Sequence, residues 1–446
     1  MKKILTGGWM WDGMQRVLEN PVLLVSDGNV SAVLAREDRL PDGWEQAERI
    51  DRPGRLILPG MVNAHTHLYS ALARGMGVSP YAPTTFTEIL EQLWWRLDKA
   101  LTLEDVSMSG LVGAMEAVRC GVTTLIDHHA SPNAVEGSLD ALRDAVSGRV
   151  GLRGCYCYEV SDRDGAAIAR AGIEENRSFL EAMEEHGRFE QGLFGLHAAF
   201  TVSDETLESV AEQIPVGRGV HIHVAEGPED EERSEAEYGM RIVERLDRFG
   251  LLRPNSILAH CLHLDEGERD LIAERGALVV HNPHSNMNNA VGFLDIPAFL
   301  SRSIPVGLGT DGLGCNMFGE LMTAGLLQKH TRQDSLAGDF GMLDQLLFRC
   351  NPLIAERAFG GGVGFGRIEP ETAADIVVLD YVPPTPLDSS NALGHILFGM
   401  AVHALRVSDV WVGGREVLRE GRFAELDEER TYARSREVAA SLWKRL

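Results

Sequence analysis

Two textures alternate along the chain. The first fifty residues are short apolar runs broken by turns, such as Val22 to Ser26 and Val30 to Ala35, with no long helical period, and predict strands. A second strand-rich segment opens near Ala374, where Asp375 to Asp380 (DIVVLD) has a compact buried-strand pattern, and continues through Val407 to Val412. The two ends are expected to share one small β domain. Between them, apolar runs ending near Asn63, Asp127, Tyr158, His197, His223, Cys261, Asn282 and Thr310 alternate with amphipathic stretches. Leu103 to Arg119, Ala166 to Glu185, Glu235 to Phe249 and Asp265 to Glu274 are predicted helices. Eight strands alternating with helices predict a (β/α)8 barrel, whose usual length of about 250 residues or more fits this middle segment. The expected fold is therefore α/β. A TIM-type barrel spans 59–365, and residues 1–58 and 366–446 form a composite β-sandwich domain with a C-terminal helix. The glycine-rich stretch Gly360 to Gly366 lacks the Lys and Ser/Thr of a phosphate loop and reads as a turn leaving the barrel.

Composition narrows the function classes. The 446 residues are 44% hydrophobic and 24% charged, ordinary for a globular protein. The formal net charge of −24 repels phosphate backbones and anionic bilayers, so neither nucleic acid nor membrane is an expected partner. Six Cys without a CxxC pair read as free thiols in a reducing compartment, and no apolar run is long enough to span a bilayer, so a cytoplasmic location is expected.

The polar residues that stand out fall at the predicted strand ends. His65 and His67 lie two apart at the end of the first strand, on one side of an extended chain, where they can chelate one metal. His221, His223 and Glu226 end the fifth strand, His260 and His263 follow the sixth, and Asp311 follows the eighth. Barrel enzymes build their sites from these ends, so four strands converge on one place. One HxH pair is a weak signal, but three His and an Asp together form an N3O ligand set with room for water, suited to catalytic zinc or iron(II).

The motifs PGMVNAHTHL, HIHVAE, AHCLHL, HNPHSN and GTDG resemble, in this order, the amidohydrolase superfamily. The resemblance is to its triazine-hydrolase, guanine-deaminase and adenosylhomocysteine-deaminase branch, and most to the SsnA-type aminohydrolases linked to selenium metabolism. It implies that His65, His67, His223 and Asp311 hold one divalent metal, zinc first, with iron(II) or manganese as alternatives. His223 is preferred to His221 because the family's catalytic Glu lies three residues after the ligand, where Glu226 stands. It implies that Glu226, His260 and Asp311 are catalytic. His260 corresponds to a His that holds the attacking water or its oxyanion. His197 corresponds to a substrate-contacting His, and no Lys stands where binuclear members carry a carboxylated one. A small heterocyclic substrate and a homo-oligomer, dimer or tetramer, are implied as well.

A divalent cation lowers the pKa of bound water from about 16 to about 7. Asp311 is expected to take the proton during attack, Glu226 to start protonated and donate to the ring nitrogen, and His260 to stabilise the tetrahedral intermediate. The expected activity is hydrolytic deamination of a purine, pterin or related N-heterocycle, a hydrolase acting on carbon–nitrogen bonds. The nearer alternative is a chlorohydrolase or amide hydrolase on the same metal site, and the distant one a silent barrel scaffold, which would have eroded the ligand set. On the substrate side the candidates are His197, Glu88, Trp94, His129 and Asn282. For His129 a packed role is equally open. His221 and His263 are expected to pack or to support the ligands. The acidic run Glu229 to Glu232 reads as a solvated loop or helix start.

Overall fold

The computed structural model describes residues 2–35, 40–183 and 187–446. Eight parallel strands form the barrel: β1 (Met61–Thr66), β2 (Val122–His129), β3 (Arg153–Tyr158), β4 (Phe194–Ala198), β5 (Val220–Val224), β6 (Ile257–His260), β7 (Leu278–His281) and β8 (Val306–Leu308). Every residue of all eight is buried, because helices cover the outside while side chains fill the inside. That is why they read as unbroken apolar runs. β1 to β3 and β4 to β8 pair side by side. The ring is completed at two seams. Val160 N donates to Gly195 O (3.2 Å) and His197 N to Val160 O (2.9 Å), joining β3 to β4. Thr310 N donates to His65 O (2.9 Å) and His67 N to Asp311 O (3.3 Å), joining β8 to β1. The second seam is built from the HxH and Asp segments themselves.

Around the barrel the predicted helix Leu103–Arg119 forms with those limits, its Thr102 and Asp105 making a reciprocal cap. Ala166–Met183 forms as well, and the last two residues predicted for it, Glu184 and Glu185, lie outside the described residues. The stretch from Glu235 to Phe249 is not one helix. It splits into Pro228–Tyr238 and Ile242–Arg248, because Gly239 adopts φ 69° and ends the first in a left-handed cap. The acidic run is the first turn of the former helix, with Asp230 and Glu231 buried.

The β domain is one continuous nine-stranded sheet. Lys3–Trp11 runs parallel to Glu48–Pro59, which pairs antiparallel with Ile376–Leu379, so the two chain ends join edge to edge. A shift of register between Gly7 and Trp9 lets both halves of the sheet share a core of Leu5, Met10, Leu23, Ile57, Ile376 and Trp411. The strand Glu48–Pro59 was hidden in the sequence by its internal Pro53 and Gly54, which read as a turn. A buried ion pair, Arg153 Nε to Asp375 Oδ2 at 2.7 Å, ties β3 to this domain. No helix among the described residues is long and apolar enough to cross a membrane.

Candidate metal centre

His65 and His67 close β1, His223 sits near the end of β5, and Asp311 follows β8. Backbone carbonyls orient two of the rings. His67 Nδ1 lies 2.6 Å from His128 O, and His223 Nδ1 lies 2.8 Å from His197 O. A carbonyl only accepts, so both Nδ1 atoms carry the proton, and the Nε2 atoms of the neutral rings are bare lone pairs. These Nε2 atoms nevertheless sit 3.1 Å apart, with Asp311 Oδ1 2.9 Å from His67 Nε2. Three lone-pair atoms pressed together repel one another unless a proton or a cation sits among them. His65 adds a fourth donor: its Nδ1 is hydrogen-bonded to His221 Nε2 (2.8 Å), and its buried Nε2, 3.6 Å from Asp311 Oδ1, has no hydrogen-bond partner. The donor atoms of His65, His223, His260 and Asp311 all lie within 4.8 Å of one another. Neutral nitrogens plus one carboxylate fit a borderline-soft divalent ion such as zinc.

Electrostatics agree with this assignment. Burial holds His65 down to about 4 and His223 well below its ordinary value, keeping both as neutral ligands. Burial acts on His67 in the same sense, but the Asp311 carboxylate overrides it and holds that ring up at about 9, so a proton takes the cation's place. The two catalytic candidates are driven apart. Burial, and then the Asp311 charge, push Glu226 well above the carboxylate range. For Asp311 burial works in that direction too, but the His65 and His67 rings outweigh it and hold the group well below its usual value. The Ser285 hydroxyl donates to Asp311 Oδ2, and Asn289 Nδ2 donates to Glu226 Oε1 at 3.3 Å. His260 Nδ1 accepts from Asn286 Nδ2 (2.7 Å), which leaves the proton on Nε2, 3.4 Å from Glu226 Oε2. Ala225, His260 and Asp311, none of them Gly, have φ of 46°, 74° and 53°; this backbone strain gathers at the strand ends that carry the site.

A cavity opens beside these residues, walled by Phe86, Trp94, Trp95 and Phe200. Of the five substrate-side candidates, His197 and Trp94 line it. The other three do not. Glu88 turns back on its own helix start, accepting from Thr84 N (2.5 Å) and Thr84 Oγ1 (2.7 Å). His129 is sealed in the barrel wall with Nε2 on Ser131 Oγ (2.9 Å). Asn282 is fully buried against Gly309, where a Cβ would come within 2.5 Å of its Oδ1. Sequence reasoning missed Glu159, Arg163, Asp230 and Asn289, which also line the cavity. Glu159 directly follows the end of β3, so the rule that barrel sites form at strand C-termini pointed to it. His221 backs His65, and His263 Nε2 bonds to Val291 O (2.8 Å), outside the cavity lining.

A closed (β/α)8 barrel with four histidines and two carboxylates of opposed acidity at its C-terminal face defines a metal-dependent hydrolase site. Comparison with known proteins agrees: the amidohydrolase family model matches residues 56–417, and the chain belongs to that family. It is 30% identical to a 5-methylthioadenosine/S-adenosylhomocysteine deaminase of Nitratidesulfovibrio vulgaris, over 96% of this chain and 94% of the relative. A 5'-deoxyadenosine deaminase of Methanopyrus kandleri is 31% identical, over 96% of each chain. Among solved structures, an adenosine deaminase of Xanthomonas campestris with bound zinc superposes with TM-score 0.83 at 27% identity, over 99% of this chain and 98% of that one.

Proposed function

We propose that the protein is a zinc-dependent hydrolytic deaminase of a purine-class N-heterocycle, with adenine nucleosides the first candidates because the relatives described above bear such names. The observation that carries this reading is the convergence of His65, His223, His260 and Asp311, whose ligand atoms lie within 4.8 Å of one another, with Glu226 Oε2 3.4 Å from His260 Nε2. His65, His67, His223 and Asp311 would hold the ion. When bound, it supplies acidity, bringing water from a pKa of about 16 to about 7 so that hydroxide is available at neutral pH.

The remaining work falls to side chains. Asp311, anionic and held by Ser285, accepts the proton released as water attacks the amidine carbon. Glu226, neutral, donates to the ring nitrogen next to that carbon, so no negative charge builds up on the ring. His260 presents its Nε2 proton to the oxygen of the tetrahedral carbon. The proton held by Asp311 then passes to the amine; ammonia leaves as the carbon–oxygen double bond forms, and the hydroxyl proton returns to Glu226. Trp94 and its aromatic neighbours hold a flat ring and exclude water. The same reading divides the chain into a barrel over 59–365 and a β domain over 1–58 and 366–446, and places a homo-oligomer in the cytoplasm, where its six unpaired thiols stay reduced.

Ammonia release tests the proposal. Zinc-loaded protein is expected to deaminate at least one of adenosine, 5'-deoxyadenosine, 5-methylthioadenosine, guanine and isoxanthopterin. Release from none of them overturns it.

A further inference from the structure

One short helix, Pro283–Asn288, and the Asn289 that follows it touch all three catalytic candidates. Ser285 Oγ donates to Asp311 Oδ2, Asn286 Nδ2 reaches His260 Nδ1 (2.7 Å), and Asn289 Nδ2 reaches Glu226 Oε1 (3.3 Å). Ser285 and Asn289 are four apart and share a helix face, their side chains 3.5 Å from each other. Asn286, one residue on from Ser285, points about 100° away, toward β6. Six residues do not hold such a shape unaided, since isolated helices shorter than about 12 residues are marginal in water. The start of the helix is weak as well. Pro283 has no N–H and the Asn282 side chain makes no cap bond, so the His284 N–H is the first donor that needs an acceptor. Glu320 supplies it from the first turn of the helix Met317–Arg332, which follows β8 and the Asp311 segment. Its carboxylate accepts from His284 N through Oε2 (3.1 Å) and meets His284 Nδ1 with Oε1 at 2.9 Å. His284 Nε2 lies 2.9 Å from Thr323 Oγ1, a hydroxyl that donates or accepts, so the ring gives Nδ1–H to Glu320 whether it carries one proton or two. The Glu320 side chain is only 5% exposed and stands outside the cavity lining.

We propose that Glu320 is a positioning residue that sets Glu226, His260 and Asp311 relative to one another through the helix Pro283–Asn288. This inference rests on the deaminase reading and deepens it. The acid, the oxyanion donor and the base come from three different strand ends, and this one helix fixes their spacing. The helix is tied twice to the chain that follows β8, by Ser285 at Asp311 and by His284 at Glu320. With both ties in place it cannot turn about either. Loss of the outer tie leaves it free to turn about Ser285, and Asn286 and Asn289 then move off their partners. A misplacement of about 1 Å costs on the order of a hundredfold in rate.

Glu320→Gln in the zinc-loaded full chain tests this. Glutamine offers the two His284 donors a single acceptor oxygen and turns an amide N–H toward the other. The expected result is a kcat lowered about tenfold to a hundredfold, as a small displacement of reacting groups produces. KM should stay within about twofold, because the aromatic wall that binds the ring is untouched, and zinc content by metal analysis should stay at the wild-type level. Crystal structures of wild type and variant give a readout independent of activity: the Asn286–His260 and Asn289–Glu226 separations should lengthen together. His284→Ala, at a side chain 47% exposed, removes one of the two contacts; it should lower kcat in the same sense by less, and its effect should not add to that of Glu320→Gln. A lower Tm with kcat and both separations unchanged shows a purely structural role and overturns the proposal. A fall in kcat matched by an equal loss of zinc overturns it too. Unchanged kcat in His284→Ala does the same, whether or not Glu320→Gln folds. Wild-type enzyme that releases no ammonia overturns the deaminase reading itself, and the paired crystal structures still decide whether Glu320 sets the spacing.

Discussion

At the scale of single residues, the proposed function comes down to which carboxyl carries a proton. Glu226 is held neutral by burial first and by Asp311 second. Glu226→Gln keeps the size and the contact with Asn289 but removes the acid, and should lower kcat by about 10²- to 10⁴-fold, the usual worth of general acid catalysis. Steady-state kinetics beside metal analysis checks this: lost zinc would mean that the residue supports the metal instead. The pH profile follows from the same direction of shift. Glu226 works as an acid only while protonated and its pKa is raised, so kcat/KM of zinc-saturated enzyme should stay high through neutral pH and fall on the alkaline side as that proton leaves. A fall on the acidic side alone would contradict the assignment. These residues were legible because ligand chemistry demands His and carboxylates at fixed offsets, as in HTH, HIHVAE and GTD. Glu88, His129 and Asn282 lie outside the cavity lining because whether a side chain points into a cavity depends on caps and on packing across the barrel, not on spacing.

At the scale of elements, the barrel is held at the seam that carries the metal site. Below it, Asn351 reaches from the helix Asn351–Ala358 to bond Leu308 N through Oδ1 (2.6 Å), and Val62 O and Leu308 O through Nδ2 (2.8 Å each), joining β1 to β8. Asn351→Ala leaves those three buried backbone groups without partners and should destabilise by about 3 kcal/mol or more, at 1–3 kcal/mol per orphaned group. Urea unfolding measures this, and a change below about 0.5 kcal/mol would show that the seam does not depend on Asn351. The apolar periods located all eight barrel strands to within about three residues, since a strand buried on both faces must be apolar throughout. The break at Gly239 was harder to see, because one glycine in an amphipathic stretch either is tolerated or ends the helix, depending on what the next turn packs against.

At the scale of the whole molecule, the barrel and the β sheet share an apolar core and are tied by buried polar links. Asp375 accepts from Arg153 through both carboxylate oxygens (2.7 and 3.2 Å) and from Gly413 N (2.7 Å), while its carbonyl takes Gly60 N (2.9 Å). Asp375→Ala strands a guanidinium that is only 7% exposed and should destabilise by about 3–5 kcal/mol. Calorimetry checks this, and also whether barrel and β domain still unfold together. Metal belongs to this scale too. Binding at a thousand times Kd stabilises by about 4 kcal/mol, so removing the ion with a chelator should lower Tm measurably and stoichiometric zinc should restore it. An unchanged Tm would mean that the donor cluster holds no ion.

By itself the sequence carried the alternation of elements, the histidines and carboxylates that converge at the strand ends, and the meeting of the two chain ends in one sheet, because burial and metal ligation each require particular residue types at particular intervals. Only the tertiary structure decided which side chains line the cavity. It put Glu159 on the lining and turned Glu88 back onto Thr84 at its own helix start. The physical reason is that a hydrogen bond depends on direction and on the third atom beyond it. Neither is written in the spacing of residues along one chain, and both appear once β3 and β4 lie side by side.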